Sequence, residues 1–102
     1  MMNQQRLLAL LGMAQKARKL VSGELAVEKA VRSGQAKLIL IATDASESTR
    51  KSYRDSAAFY QVAFFEVLSK DEIGHAIGRP PRAALAVTDN GFRKAITELL
   101  RD

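Results

Sequence analysis

Few side chains in this sequence are equipped for bond-making chemistry. Cysteine is absent and His75 is the single histidine, which excludes thiolate chemistry, disulfides and the usual zinc ligand sets. The sequence has no Gly-x-Ser-x-Gly elbow, Ser-His-Asp spacing, P-loop or dinucleotide fingerprint. "GHAIG" (74–78) has Gly-x-x-x-Gly spacing, which in a short helix marks close packing or a helix end. Two acids stand out by position. "IATDAS" (41–46) and "AVTDNG" (86–91) both read as strand, Thr-Asp, then helix. An aspartate at a strand end suits a phosphoacceptor, but that site needs further acids near the first strand to hold a metal. The first third offers only Glu24 and Glu28, on a helical pattern. N-capping is the simpler role for Asp44 and Asp89: each carboxylate accepts from free N–H groups of the following helix. The sequence therefore predicts a non-enzyme with no cofactor, no metal and no small-molecule substrate.

Binding chemistry is better supplied. Sixteen Lys and Arg face eleven Asp and Glu, for a net charge of +5. The whole excess lies in residues 1–37, which hold Arg6, Lys16, Arg18, Lys19, Lys29, Arg32 and Lys37 against Glu24 and Glu28. One-sided positive charge is the footprint of a nucleic-acid partner. "KARKLVSGELAVEKAVRSG" (16–34) concentrates it. Lys16, Arg18 and Lys19 precede a tight turn. A helix then opens at Ser22-Gly23, offering unpaired N–H groups and a positive end suited to a phosphate. Gly23 has no side chain to hold a backbone away. On a helical wheel Val27, Ala30, Val31 and Gly34 share one side, while Leu25, Glu28, Lys29 and Arg32 share the other. Leu25 is thus expected among charges on the polar face. "GRPPR" (78–82) adds a stiff loop bearing Arg79 and Arg82. Phe59, Tyr60, Phe64 and Phe65 read as core or strand residues, so no stacking platform for single strands is expected. Recognition of a folded RNA shape, by backbone contacts and a few base edges, fits better.

The elements that must position these residues alternate along the chain. Leu7, Leu10, Leu11, Ala14 and Ala17 form a helical stripe over residues 4–18. "KLV" (19–21) is a very short strand. Ala26, Val27, Ala30 and Val31 mark a second helix over 23–33, stopped at Gly34. "KLILIAT" (37–43) is apolar on both faces, as a central strand covered by two layers should be. A helix over 46–59, with apolar Ala57 and Ala58 near its end, and a strand "VAFFEV" (62–67) follow. "SKDE" (69–72) has capping-box form and opens a short helix to Ile77. "AALAV" (83–87) is a strand, and residues 90–100 form a last helix with apolar Phe92, Ala95, Ile96, Leu99 and Leu100. Strands separated by helices predict a parallel or mixed sheet between helical layers.

The length, 102 residues, predicts one domain over 1–102. No apolar run approaches the roughly 18 residues that cross a bilayer. "MMNQQRLLALLGMAQ" lacks the charge and apolar core of a signal peptide. A cytoplasmic protein with no membrane contact is expected.

Three segments carry a resemblance: "LLGMAQKARKLVSGE" (10–24), "AVEKAVRSGQAKLILIATDAS" (26–46) and "AALAVTDNGF" (83–92). They resemble the bacterial YlxQ-like branch of the kink-turn-binding ribosomal-protein superfamily, the large-subunit seven-Ae group. The resemblance implies a three-layer α/β/α sandwich with a mixed four-stranded sheet. It implies a monomeric RNA binder whose partner is structured RNA, either a kink-turn or ribosomal RNA, with the ribosome or translation factors as further partners. In such proteins the start of the second helix enters the groove at the kink, and a loop before the last strand packs on a flipped-out base. The family pattern at the helix start is Gly, a spacer, Asn, Glu, two residues, Lys. In register, Gly23 and Lys29 match, with Glu24 as the spacer, while Leu25 and Ala26 stand where Asn and Glu are usual. Ile77, Arg79 and Arg82 fall in the loop. The charge pattern and the resemblance together give an expected RNA-contacting set of Lys16, Arg18, Lys19, Gly23, Glu24, Leu25, Ala26, Lys29, Arg32, Ile77, Arg79 and Arg82. Apolar Leu25 and Ala26 support an alternative on the same fold, an adaptor that grips a protein of the translation or transcription machinery.

Overall fold

The structure is a computed structural model that describes residues 3–101. Its elements are α1 (Gln4–Lys16), β1 (Leu20–Ser22), α2 (Glu24–Arg32), β2 (Leu38–Ile41), α3 (Glu47–Tyr60), β3 (Ala63–Glu66), α4 (Lys70–Ala76), β4 (Ala84–Val87) and α5 (Asn90–Leu100). All nine expected elements are present, in the expected order.

The four strands form one mixed sheet in the order β1-β4-β2-β3. β2 and β3 are parallel and are joined by the crossover helix α3, the connection that parallel neighbours require. β4 lies antiparallel to both β1 and β2. The two central strands, "LILI" and "ALAV", are buried throughout, because helices cover both faces. α2 packs over β1 and β4, and α3 packs over β2 and β3. α1, joined by α4 and α5, covers the other face. The expected three-layer α/β/α sandwich is therefore the observed one. The core joins Leu7, Leu11, Val27, Ile39, Leu40, Ile73, Leu85 and Ile96, all fully buried. Each such aliphatic side chain removed from water contributes roughly 1.5–3 kcal/mol.

Helix ends follow local chemistry. Asn3, Ser46, Ser69 and Asp89 cap α1, α3, α4 and α5 with side-chain oxygens. The capping box at α4 is complete: Ser69 Oγ accepts from Glu72 N at 3.1 Å, and Glu72 Oε1 accepts from Ser69 N at 2.8 Å. Asp89 caps α5 as expected, accepting from Phe92 N at 2.9 Å. Asp44 does not cap the helix that follows it. Ser46 does that, and Asp44 instead accepts from Lys70 N at 2.9 Å, across the fold at the start of α4.

Four expectations about exposure change. Phe59 and Tyr60, expected inside, are 79% and 43% exposed at the end of α3. The helical turn that buries Tyr53 and Ala57 turns Phe59 outward. Ala26, placed on the apolar stripe, is exposed, whereas Val27, Ala30 and Val31 are buried. Ala17 is exposed as the C-cap of α1.

Candidate nucleic-acid interface

β1 enters α2 through Gly23, whose backbone sits at φ 91° and ψ 150°. L-residues pay about 1–3 kcal/mol to hold that region, so glycine is used there. A methyl group on Gly23 would meet nothing within 4 Å; the demand is conformational rather than steric. Gly23 N donates to Ala84 O at 3.0 Å, tying the helix start to β4. The first intrahelical bond runs from Val27 N to Gly23 O. Ahead of it, the N–H groups of Glu24, Leu25 and Ala26 have no side-chain cap, in contrast to the other four helices. These donors, with the positive end of the helix dipole, face outward.

Two neighbours hold this start in place. The Tyr53 hydroxyl, on α3, donates to Glu24 O at 2.9 Å. Tyr53 is 4% exposed, and burial, reinforced by the charges of Glu24 and Glu28, pushes its phenol well above the ordinary tyrosine range. On the other side, Arg82 Nε donates to Ser22 Oγ at 3.3 Å, and its terminal nitrogen approaches the Pro80 and Pro81 carbonyls at 3.4 Å. That loop lies flat against α4. A methyl group on Gly74 would collide with Pro80 O and stand 2.8 Å from Arg79 O. Gly74 is thus the close-packing residue, and Gly78 the helix end, that the Gly-x-x-x-Gly spacing predicted.

The twelve sequence-derived site residues divide. Gly23, Glu24, Leu25 and Ala26 share the α2 start, with Arg82 beside them through Ser22. Leu25 is 84% exposed. Lys29 follows one turn along the exposed face of α2, and Arg79 is exposed on the neighbouring loop. Arg32 lies at the far end of α2, about 13 Å away by helical rise. Arg18 and Lys19 lie at the far end of β1: Lys19 O accepts from Thr88 N, four residues of strand, or about 13 Å, from Gly23. The non-glycine Arg18 takes a left-handed φ of 59° to close α1. Lys16 lines a groove with Met13, Ala76 and Gly78, beside the start of the Pro-rich loop. Ile77 is 5% exposed, so its side chain anchors the loop from within and offers no contact surface. Gly74 holds the loop where its spacing predicted close packing, whereas Tyr53 positions the α2 start without being among the expected site residues. A tyrosine on the Ala57 stripe was the one sequence signal for Tyr53.

Among the described residues, ion pairing does not occupy the basic set. The ion pairs among the described residues are Arg50–Glu66, Arg54–Glu66 and Lys51–Asp55, all on α3 and β3. There the Arg54 hydrogen bond, helped by the charges of Arg54 and Arg50, holds the Glu66 carboxyl below its ordinary range. No groups of three or more His, Cys, Asp or Glu converge as a metal site among the described residues. Asp44 and Asp89 stand at opposite ends of the sheet, because β2 and β4 run antiparallel. No helix among the described residues is long and apolar enough to cross a membrane.

A mixed sheet between two helical layers, with an uncapped helix start and a basic loop at one edge, defines a small α/β binding domain. The chain belongs to the ribosomal protein L7Ae/L30e/S12e/Gadd45 family, whose model matches residues 5–97. It is 40% identical over 98 residues to the RNA-binding protein YlxQ of Enterococcus faecium, covering 96% of this chain and 94% of that one. It is 44% identical over 91 residues to the RNA-binding protein YlxQ of Bacillus subtilis strain 168, covering 89% and 91%. A Bacillus halodurans protein of unknown function superposes with a TM-score of 0.91 at 36% identity, over 95% of this chain and 98% of that one. The 15.5 kD RNA binding protein of Giardia lamblia shares the fold, with a TM-score of 0.79 at 20% identity, over 94% and 82%. The family and these names agree with the expectation of a non-enzyme.

Proposed function

We propose that this protein is a non-catalytic, ribosomal-protein-like RNA binder that recognises structured RNA, in particular a kink-turn, through the start of α2. The observation that carries this reading is the uncapped N-terminus of α2 at Gly23, the one helix start among the described residues without a side-chain cap. A phosphate there receives backbone N–H groups and the helix dipole together. Arg82 and Arg79 from the adjoining loop, and Lys29 from the next turn, supply charge without competing carboxylate partners among the described residues. Lys29 also reaches toward a base edge. Leu25 and Ala26 place apolar surface where the family uses Asn and Glu, so shape and backbone dominate over base-edge readout.

Titrating labelled kink-turn RNA and a straight duplex at several salt concentrations tests the reading. The kink-turn should bind more tightly, and removing Lys29 or Arg82 should flatten the salt dependence by about one unit each. Equal, weak binding to both RNAs overturns it. The exposed Leu25 favours one second reading, an adaptor for a translation or transcription protein. Partners retained after nuclease treatment of a pull-down support the adaptor, and partners lost support RNA.

A further inference from the structure

At the end of the sheet opposite Gly23, a cleft of about 300 Å³ opens between the helical layers. Arg32 reaches it from the last turn of α2, Lys37 from the loop before β2, and Arg93 from the first turn of α5. Tyr60 and Gln61 close it from the end of α3. Three cations and no carboxylate line this space. Lys37 Nζ donates to Gly34 O and Arg93 Nε to Asn90 Oδ1, each at 3.3 Å. Neither has an ion-pair partner among the described residues, and the same holds for Arg32. Glu28 sits outside the cleft, sharing an adjoining depression with Arg32 and Tyr60.

Beside the cations stands an aromatic pair that the core does not use. Phe59 is 79% exposed and contacts Tyr60 edge-to-face, with centroids 4.9 Å apart and planes at 78°. This geometry leaves ring surface open to a third planar group. Cations that track a backbone, next to aromatic rings that take a base, are the combination that holds unpaired nucleotides. We propose that this cleft binds a single-stranded RNA segment, with phosphates on Arg32, Lys37 and Arg93 and an unpaired base stacked on Phe59. The site deepens the RNA-binding reading and rests on it. It lies about 13 Å along α2 from Gly23, within reach of one RNA that also occupies the helix start. α2 and α3 both end at the cleft, and helix C-termini draw cations for purely structural reasons. That role would make no use of Phe59, which is why the test turns on this residue.

The test uses the full chain and a short labelled oligouridylate without secondary structure. Amide shifts on titration should centre on Gly34, Lys37, Gln61 and Arg93. Phe59→Ala should weaken binding about tenfold by removing one base-stacking contact, and Phe59→Tyr should retain it. Lys37→Gln combined with Arg93→Gln should lower the salt slope by about 1.4, roughly 0.7 for each phosphate contact to a single strand. Phe59 is exposed, so its replacement keeps the fold. A kink-turn RNA without an unpaired extension should bind Phe59→Ala as it binds the parent protein. Loss of kink-turn preference in the parent therefore overturns the α2 reading alone. Unchanged oligouridylate affinity in Phe59→Ala, or shifts confined to the α2 start, overturns the cleft. So does a dimer that Phe59→Ala dissolves while the oligouridylate fails to bind, since the rings would then be a self-association face.

Discussion

The Tyr53 hydroxyl donates a 2.9 Å hydrogen bond to the backbone carbonyl of Glu24. The bond joins the middle of α3 to the first residue of α2, across 29 residues of chain. It fixes where the free N–H groups of the α2 start point. Tyr53→Phe keeps the packed ring and loses only this bond. Stability should fall by about 0.5–1.5 kcal/mol in urea melts, with weaker kink-turn binding. The folded protein holds the phenol proton more tightly than the unfolded chain does. This contribution is fully present below about pH 10, where the unfolded tyrosine titrates, and is lost as pH rises above it. Urea midpoints measured from neutral to alkaline pH should therefore decline more steeply for the parent protein than for Tyr53→Phe.

Gly23→Ala separates conformation from space. Nothing lies within 4 Å of the new methyl group, yet φ is 91°. The expected loss is about 1–3 kcal/mol from backbone strain, read as a lower urea midpoint. A midpoint unchanged from the parent would show that the turn relaxes freely.

Gly74→Ala acts through a different cause. Its methyl group collides with backbone at Pro80, which cannot rotate away as a side-chain tip would. Overpacking of this kind costs about 1–3 kcal/mol. Because Arg82 hangs from the same loop, kink-turn affinity should fall together with the melting temperature. A loss of stability with affinity intact would separate the loop from the interface.

Leu25→Asn with Ala26→Glu restores the polar pair of the family pattern. Both positions are exposed, so stability should move by less than about 0.5 kcal/mol per site. Kink-turn preference over duplex should rise by tenfold or more, as expected for about 1–3 kcal/mol from a base-edge contact. Competition binding at fixed salt measures it.

Asp44→Ala and Asp89→Ala should each destabilise by about 1 kcal/mol through lost helix-start hydrogen bonds, and should leave RNA affinity unchanged. Thermal melts and one titration per variant decide. A loss of affinity without a loss of stability would give either acid a role beyond capping.

The helices and strands were legible in the sequence by itself. Leu7, Leu11 and Ala14 recur at helical spacing, "LILI" and "ALAV" are apolar on both faces, and Ser69 with Glu72 spells a capping box. Gly23 and Gly34 bracket α2 for the same local reasons. Such signals act within a turn or two, so they survive without knowledge of the fold. Only the tertiary structure decided which of them meet. Arg18 and Lys19 look contiguous with Gly23 in sequence, yet the extended β1 holds them at the opposite end of the sheet, where Lys19 bonds Thr88 rather than the residues around Gly23. Arg82 is 60 residues from Ser22 and touches it. Asp44 skips the adjacent helix for α4, Tyr53 reaches back to α2, and Phe59 turns to solvent where its composition suggested core. Each of these follows from strand pairing and helix rotation between distant segments. A local pattern encodes the face a residue takes on its own element; which neighbour that face meets depends on how the elements assemble.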